Sequence, residues 1–475
     1  MKNVASQGVQ AETPRRKGDS PDLGASLGHD GSSSVPMSWL LAVLAGGVWI
    51  MGHAFNDFSL PFTAMFVALG ATLGVVSPGI AAGLTLALVP FAGGDVNQGL
   101  AELARSVPLL AAAARVVADR VRGADDAKDV ALPSRFMLLA AVTAMFLYPA
   151  IRLTANGAPW APPQTAVDDI LFLIGAPSAM FAGWIVFSHL PQLVVNRLLQ
   201  VLPVTLLLAM LAAIAAWLGV PMVDRFTFDG EVYGRLAGLG FPTPTAMGVA
   251  IALPLAVAGA LRVSRVLAGT IALVGLVTIV LTESRGPMIA ILLAGAIMML
   301  MGKRLSWRWY VAALILVICA VTGLVALRYP ELLSGGSTGG IPDLEGDSLR
   351  IVSWVAGVQI ALQEPLTGGG WMSVRGWNDG ELGEKNVNLS HNLLLQGFAD
   401  GGIPLGVAIS IVVIGSLRAA WVARSNLPPA WIAALVALLV CGAWDMPQLR
   451  AFAAVMGGLA LGLVCRTDLT RQTER

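Results

Sequence analysis

Three arginines and one histidine stand out because their side chains suit anion binding and proton transfer and because long apolar runs flank them. They are Arg235 in GRLAGLGFPTPT, Arg285 in TESRGPMIA, Arg350 at the start of a helical pattern, and His391 in SHNLLLQGFADGG. A guanidinium stays charged at physiological pH and binds phosphate through paired hydrogen bonds. An imidazole takes up a proton near neutral pH. The set predicts a diphosphate site beside a general base.

Each of these residues also has a purely structural interpretation. An arginine between apolar runs can extend to the lipid headgroups, and a lone histidine is more often structural than catalytic. The acidic neighbours that could pair with the arginines are Glu283 for Arg285, Asp229 or Glu231 for Arg235, and Asp347 or Glu345 for Arg350.

Local sequence favours the functional interpretation at two places. Gly286 and Pro287 follow Arg285, and proline suits the first turn of a helix, whose N-terminus favours anions. Ser390 and Asn392 flank His391 and give it a polar setting. We therefore take Arg285 and His391 as catalytic candidates, with Glu283, Ser390 and Asn392 as supporting residues.

Several other kinds of site have no signature in the sequence. The acidic residues near these positions form no Asp-x-Asp pair and no cluster with histidine at metal-ligand spacing. There is no glycine-rich phosphate loop. We therefore predict no metal, no cofactor and no ATP site. A net charge of +1 predicts no nucleic-acid partner.

The composition predicts that the chain is an all-α polytopic membrane protein. Hydrophobic residues make up 56% of its 475 residues and charged residues only 12%, with a mean hydropathy of +0.74. Soluble domains carry about 25% charged residues.

Runs of about 20 apolar residues can cross the hydrocarbon as helices. We predict 12 to 14 of them, at 37–55, 58–76, 78–91, 100–119, 136–151, 167–188, 198–219, 243–261, 264–281, 287–302, 309–327, 393–417, 429–445 and 449–465. Because the 100–119 run contains charges, it could instead lie in the interface.

The basic residues predict the orientation of these spans. Clusters at 262–265, 303–308, 418–424 and 466–475 are each two spans apart, so all of them can be cytoplasmic together. The charges at 120–135 and at Arg197 agree with this arrangement. Both termini are then cytoplasmic, and the loops 221–242, 282–286 and 328–392 face outward. All four candidate residues lie in or next to these outward loops.

The chain divides into a tail and a membrane domain. Residues 1–36 are rich in Gly, Ser, Asp and Pro and predict a disordered cytoplasmic tail, followed by the membrane domain at 37–475. The long outward loop, 328–392, contains SLRIVSWVAGVQIALQ at 348–363, which places Ile351, Trp354, Val355, Val358 and Ala361 or Leu362 on one helical face. We predict a short helix near the membrane surface, ended by Pro365 and followed by a turn at Gly368–Gly370.

The three arginines and the histidine are predicted to lie at the outer face, and the sequence has no metal or nucleotide motif. This combination suits a transfer reaction in which a lipid diphosphate is the leaving group. A transporter or flippase is the main rival, but it predicts internal repeats and charges at the membrane midplane. We see no convincing repeat between the two halves. A membrane scaffold without catalytic activity is a further alternative.

Three stretches resemble the O-antigen ligase and Wzy-type polymerase superfamily of bacterial membrane glycosyltransferases. They are TESRGPMIAILLAG (282–295), RIVSWVAGVQIALQEPLTGGGW (350–371) and SHNLLLQGFADGGIPLG (390–406), with a looser match at GRLAGLGFPTPTAMG (234–248). The resemblance covers about residues 195–410, and the order and spacing of the three motifs make it specific.

The resemblance implies a multi-pass protein of the bacterial inner membrane with a periplasmic active site. It implies a glycan donor on undecaprenyl diphosphate and inverting, metal-independent transfer to an acceptor hydroxyl. By position, Arg235 and Arg285 would bind the diphosphate, Arg350 would orient the donor or the long loop, and His391 would act as base or position the acceptor. The acceptor would be lipid A core sugar in a ligase, a second lipid-linked glycan in a polymerase, or a protein hydroxyl. We favour the first two, because the chain ends soon after its last span.

Overall fold

The described part of the protein is built from packed α-helices. The computed structural model describes residues 60–91, 98–122, 132–154, 163–220, 231–232, 235–237, 242–301, 344–371, 373–374 and 389–466. The helices are α1 (Leu60–Val76), α2 (Pro78–Leu88), α3 (Gln98–Val121), α4 (Leu132–Thr154), α5 (Pro163–Gly175), α6 (Pro177–His189), α7 (Gln192–Trp217), α8 (Pro242–Leu261), α9 (Arg265–Leu281), α10 (Arg285–Met301), α11 (Leu344–Gln363), α12 (Leu393–Val422), α13 (Pro429–Trp444) and α14 (Ala451–Val464). Short 3-10 turns occupy Val89–Phe91 and Pro447–Leu449. A two-stranded antiparallel hairpin pairs β1 (Glu231–Val232) with β2 (Arg235–Leu236).

The all-α membrane architecture is confirmed. Within the described residues, the segments long and apolar enough to cross a membrane are Asp169–His189, Gln192–Trp217, Pro242–Leu261 and Leu393–Val422, and shorter apolar helices accompany them. The predicted tail at 1–36, the spans 37–55 and 309–327, and residues 328–343 and 375–388 of the long loop fall outside the described residues. The total of 12 to 14 spans therefore stays a prediction.

The predicted span 167–188 is broken into two helices at Ala176. Pro177 has no N–H and cannot continue the backbone hydrogen bonds, so α5 ends and α6 begins around it. The hydroxyl of Ser178 donates to the carbonyl of Leu173 at 3.1 Å and so satisfies a carbonyl next to the break.

The charged run at 100–119 forms α3, and its first half lies inside the bundle. Residues 104–109 of this helix are buried. Near its end Arg115 and Asp119 are exposed and form an ion pair at 2.6 Å. Neighbouring helices therefore cover residues 104–109, which include the buried Arg105, and the Arg115–Asp119 pair lies where the helix leaves them.

Helices α13 and α14 form the buried centre of the bundle. Small residues allow the close approach of α14 to α6, because a side chain at Gly458 would collide with the backbone of Met180 and Trp184. Nearly all of α14 is buried. The loop between α13 and α14 carries Asp445, and the residues after it, Met446 to Leu449, are buried.

The predicted loop helix exists as α11, and its small residues face the protein. Ser353, Ala356 and Gly357 are buried, with Ile360 beside them. The large apolar side chains predicted to share a face are all exposed, namely Ile351, Trp354, Val355, Val358 and Leu362. Small inward residues let α11 approach α12 closely, at Gly357 and Leu395. The outward apolar face is suited to lipid.

The turn after α11 is bonded to a kink in α12. Gly402 has φ 63 and interrupts the helical conformation of α12. The N–H groups of Gly369 and Gly370 donate to the carbonyls of Ala399 and Asp400 at 2.8 and 3.0 Å, and the N–H of Ile403 donates to the carbonyl of Pro365 at 2.7 Å. The predicted turn is present, and backbone hydrogen bonds hold it against the membrane helix.

The turns of the bundle fall at two ends. The α8–α9 turn lies at one end, where Arg262 donates to the Asn196 side chain at 3.4 Å. Arg466 donates to the carbonyl of Leu190 at 2.7 Å, which joins the end of α14 to the end of α6. The α9–α10 turn lies at the other end of α9. That the basic end is cytoplasmic stays a prediction.

Candidate functional site

The α9–α10 turn presents Arg285 at the start of a helix. The turn runs from Thr282 to Ser284, and its Glu283 has a left-handed backbone with φ 51. Arg285 is the first residue of α10 and is exposed, whereas Gly286 and Pro287 behind it are buried. The predicted placement of Pro287 in the first turn is confirmed. A guanidinium and a helix N-terminus at one point favour a bound anion.

Arg235 is bonded to this same turn. Its Nε donates to the carbonyl of Thr282 at 2.8 Å, and its Nη2 donates to Oγ of Ser284 at 3.2 Å. Oγ of Ser284 in turn donates to Oγ1 of Thr243 on α8 at 3.3 Å. Two predicted diphosphate-binding residues, Arg235 and Arg285, are therefore joined through three residues of one turn. Asp229 lies outside the described residues, as does the side chain of Glu231.

His391 lies just before α12 and faces a carboxylate from a different part of the chain. Its Nδ1 is 3.3 Å from Oδ1 of Asp445, and both side chains are partly exposed. Asp445 follows the last residue of α13 and also accepts the N–H of Met446 at 2.9 Å. A carboxylate on one ring nitrogen orients the imidazole and leaves the other nitrogen for a proton-transfer partner.

Asp445 was not identified from the sequence. It lies in AWDMPQL within an apolar run, where no local pattern marks it as chemical. One available signal is that it is the single acidic residue between Pro429 and Cys465. An ionisable residue at the edge of a membrane helix is costly to keep and is by default a functional candidate.

The end of α13 connects the arginine turn to the histidine. A Cβ placed on Gly286 would lie 3.2 Å from Cβ of Trp444, the residue before Asp445. On the other side, Nδ2 of Asn392 donates to the carbonyl of Ala443 at 3.2 Å. Residues 443–445 thus contact both the start of α10 and the start of α12. The structure brings Arg235, Arg285 and His391 to one end of the bundle.

Arg350 is less closely tied to this group. It lies on α11, seven residues before Gly357, which is about 10 Å along the helix axis. A Cβ on Gly357 would lie 3.3 Å from Cβ of Ser390, so α11 flanks the His391 segment at that level. The side chains of Glu345 and Asp347 lie outside what the structure describes. A role for Arg350 in orienting the donor or the loop stays a prediction.

Ser390 and Asn392 support the backbone on either side of His391. The N–H and hydroxyl of buried Ser390 donate to Oε1 of Gln396 at 2.7 and 2.9 Å. Oδ1 of Asn392 caps α12 by accepting the N–H groups of Leu394 and Leu395 at 3.1 and 3.0 Å. These bonds fix the backbone of a residue, His391, whose φ of 48 is unusual for a non-glycine residue.

Among the described residues, His, Cys, Asp and Glu form no group of three that could hold a metal ion. The groups that the structure places here are a His–Asp pair and the arginines at the α9–α10 turn, and they suit acid–base and electrostatic chemistry. A His–Asp pair can take up a proton, and neighbouring guanidinium groups can stabilise negative charge.

Comparison with known families supports the resemblance drawn from the motifs. Residues 270–410 match the family described as O-antigen ligase. The resemblance is confirmed for this segment, which contains Arg285, Arg350 and His391; Arg235 and Asp445 lie outside it. The match begins at 270, whereas the motifs suggested a start near 195. No curated protein matches the chain.

Proposed function

We propose that this membrane protein moves a glycan from undecaprenyl diphosphate to an acceptor hydroxyl. Its segment that matches the O-antigen ligase family supports a general role in glycan transfer. The reaction takes place at the periplasmic face of the bacterial inner membrane, and it inverts the anomeric carbon without a metal. The observation that carries the proposal is the convergence of the Arg235–Arg285 turn and the His391–Asp445 pair on residues 443–445.

In the proposed reaction the arginines bind the donor diphosphate. Arg285 is exposed at a helix N-terminus, so its guanidinium and the first N–H groups of α10 can approach the phosphate oxygens. Two hydrogen bonds from Arg235 hold the turn in place. When the bond between the anomeric carbon and the phosphate oxygen breaks, the electron pair leaves with the diphosphate, and the cations stabilise that charge.

His391 accepts the proton of the acceptor hydroxyl. With Asp445 on Nδ1, the imidazole keeps a lone pair on Nε2 for that proton. The acceptor oxygen then forms the new bond to the anomeric carbon from the face opposite the leaving diphosphate. Bond energy of the activated donor drives the transfer, so an ATP site is not required.

The acceptor is either a lipid A core sugar or a second lipid-linked glycan. The two acceptors give different products from the same active site. A ligase joins long glycan to core, whereas a polymerase lengthens the glycan that is still on its lipid carrier.

A transfer assay tests the proposal. Purified protein in liposomes is given labelled lipid-linked glycan with each candidate acceptor, and new glycosidic bonds are measured by mass spectrometry. We expect Arg285→Ala to lower kcat/KM about a hundredfold or more, because it removes a charge that the transition state needs. Arg262→Ala, an exposed arginine at the opposite end, is the matched control and should keep activity.

The same liposomes distinguish the rival function. Movement of labelled lipid across the bilayer without any new glycosidic bond would identify a flippase and refute the proposal. Equal activity of the Arg285 and Arg262 variants would refute the role of Arg285.

A further inference from the structure

A chain of buried polar side chains lies directly behind His391. Ser390, Gln396 and Asp400 are each 0% exposed. Oε1 of Gln396 accepts from the N–H and the hydroxyl of Ser390 at 2.7 and 2.9 Å, and its Nε2 donates to Oδ2 of Asp400 at 2.7 Å. One glutamine therefore connects the residue before His391 to a carboxylate one helical turn further along α12.

The carboxylate determines which way the glutamine amide points. If the amide were flipped, its NH₂ would face the N–H of Ser390 and its oxygen would face the carboxylate of Asp400. Both contacts would be repulsive, and buried polar groups without partners are costly. The second oxygen of Asp400 is near Oγ of Ser373 at 3.5 Å. Asp400 is thus placed to hold the amide in one orientation.

The backbone that this chain supports is in a conformation that needs support. His391 has φ 48, and a left-handed non-glycine residue costs about 1–2 kcal/mol. Such conformations persist when the surrounding structure over-determines them. Gln396 fixes the residue before His391, and the helix cap and the bond to the Ala443 carbonyl fix Asn392 after it. With both neighbours fixed, the imidazole points at Asp445.

We propose that Gln396 is a positioning residue for His391 and that Asp400 sets the orientation of its amide. Gln396 contacts neither Asp445 nor the arginine turn in the hydrogen bonds that the structure shows; it acts through Ser390. The inference rests on the proposed function, in which His391 accepts the proton of the acceptor. It predicts that the chain matters for the catalytic step itself, beyond holding the fold together.

A charge swap tests the proposal. At alkaline pH, where the two groups cannot share a proton, Gln396→Glu places two carboxylates in contact, and their repulsion moves the acceptor oxygen of residue 396 away from Ser390. Asp400→Asn still offers an oxygen to Gln396, so the chain is kept. In the double variant Q396E/D400N, one oxygen of the new carboxylate accepts from the new amide and the other accepts from Ser390. The swap preserves the total charge and the number of donors and acceptors.

The expected results separate positioning from folding. For folded protein, Q396E should lower kcat about tenfold with donor KM unchanged, since a buried hydrogen bond is lost while the arginines are intact. D400N should stay within about threefold of the unmodified protein, and Q396E/D400N should recover to that level. A chain that only stabilises the fold would reduce the amount of folded protein and leave kcat per folded molecule unchanged.

A second measurement does not depend on activity. Hydrogen exchange of the segment 389–395, followed by mass spectrometry, should speed up in Q396E and slow again in the double variant. If the unmodified protein forms no glycosidic bond, the proposed function fails, and the exchange data still decide whether Gln396 holds the segment.

Four results would overturn the proposal. They are normal kcat in Q396E, a loss confined to donor KM, a double variant that is as poor as Q396E or does not fold, and unchanged exchange of the segment. If only Q396E fails to fold, the folded double variant with near-normal kcat supports the pairing, and a double variant with low kcat contradicts it.

Discussion

The two ends of the helix bundle are built differently. At the basic end, Arg262 and Arg466 bind nearby oxygens, and Ser264 begins α9 with an ordinary extended backbone. At the other end, Glu283 and His391 have positive φ, and in the described ranges no further non-glycine residue does. Backbone strain concentrates where a site needs side chains in fixed directions. The difference supports the proposal that the site lies at the end that carries Glu283 and His391.

The largest expected effect contrasts the histidines of the two ends. His391→Ala should lower kcat about 10²-fold or more, because it removes the general base. His189→Ala, at the end of α6, should leave kcat per folded molecule near normal, since the ring of His189 bonds only within its own helix in the contacts shown. Single-turnover transfer on folded protein measures both. Similar losses in the two variants would erase the functional distinction between the ends.

A somewhat smaller effect is expected at Asp445. Asp445→Asn keeps the shape but cannot stabilise the protonated imidazole, so kcat should fall about a hundredfold with little change in donor KM. Steady-state kinetics at several donor concentrations separates the two constants. A normal kcat would show that the contact with His391 is incidental.

A further contrast compares arginines that both make hydrogen bonds. Arg235→Lys loses the paired bonds to Thr282 and Ser284 and should lower kcat/KM about tenfold, because a lysine cannot reproduce the fork of a guanidinium. Arg262→Lys should have an effect of less than about twofold, since its single bond to Asn196 is exposed. The transfer assay with limiting donor reports both values. An Arg235→Lys variant with full activity would argue that the turn needs no such support.

The smallest effect concerns two helix caps. Asn392 and Ser264 each accept two backbone N–H groups, so replacing Ser264 with Ala should cost about 1 kcal/mol of stability. Asn392→Ala should cost more than that, because its side chain also donates to the carbonyl of Ala443. Only Asn392→Ala should also lower kcat, by a few-fold, because this cap fixes the residue after His391. Thermal unfolding and kinetics are measured on the same samples. Equal kinetics in both variants would mean that the cap has only a structural role.

Part of the site could be predicted because its signals are local. Arginine in a loop that is predicted to face outward contradicts the usual charge bias of membrane proteins, so Arg235 and Arg285 were recognisable from the sequence without a known partner. The helix at α11 was recognisable from its periodicity. Its inward face was not, because packing in a membrane favours small residues at helix contacts, whereas the large apolar side chains can face lipid.

Other parts required contacts between distant segments. Asp445 lies 54 residues after His391, and Arg235 lies 47 residues before Thr282. Gln396 and Asp400 are four residues apart in one helix, a spacing that the sequence shows. The structure adds that both are buried and that Ser390 lies next to Gln396, so the three side chains form one hydrogen-bonded chain.

Hydropathy, periodicity and charge bias are patterns that extend over only a few helical turns of the chain. They were therefore enough to predict from the sequence that the protein lies in a membrane, where its helices are and which residues suit chemistry. The tertiary structure decided which side chains meet. Close packing of α13 against α10 and α12 brings the arginine turn, His391 and Asp445 to one end of the bundle, and hydrogen bonds between distant residues hold the unusual backbone there. Those contacts depend on the shapes of surfaces that form only when the helices have packed.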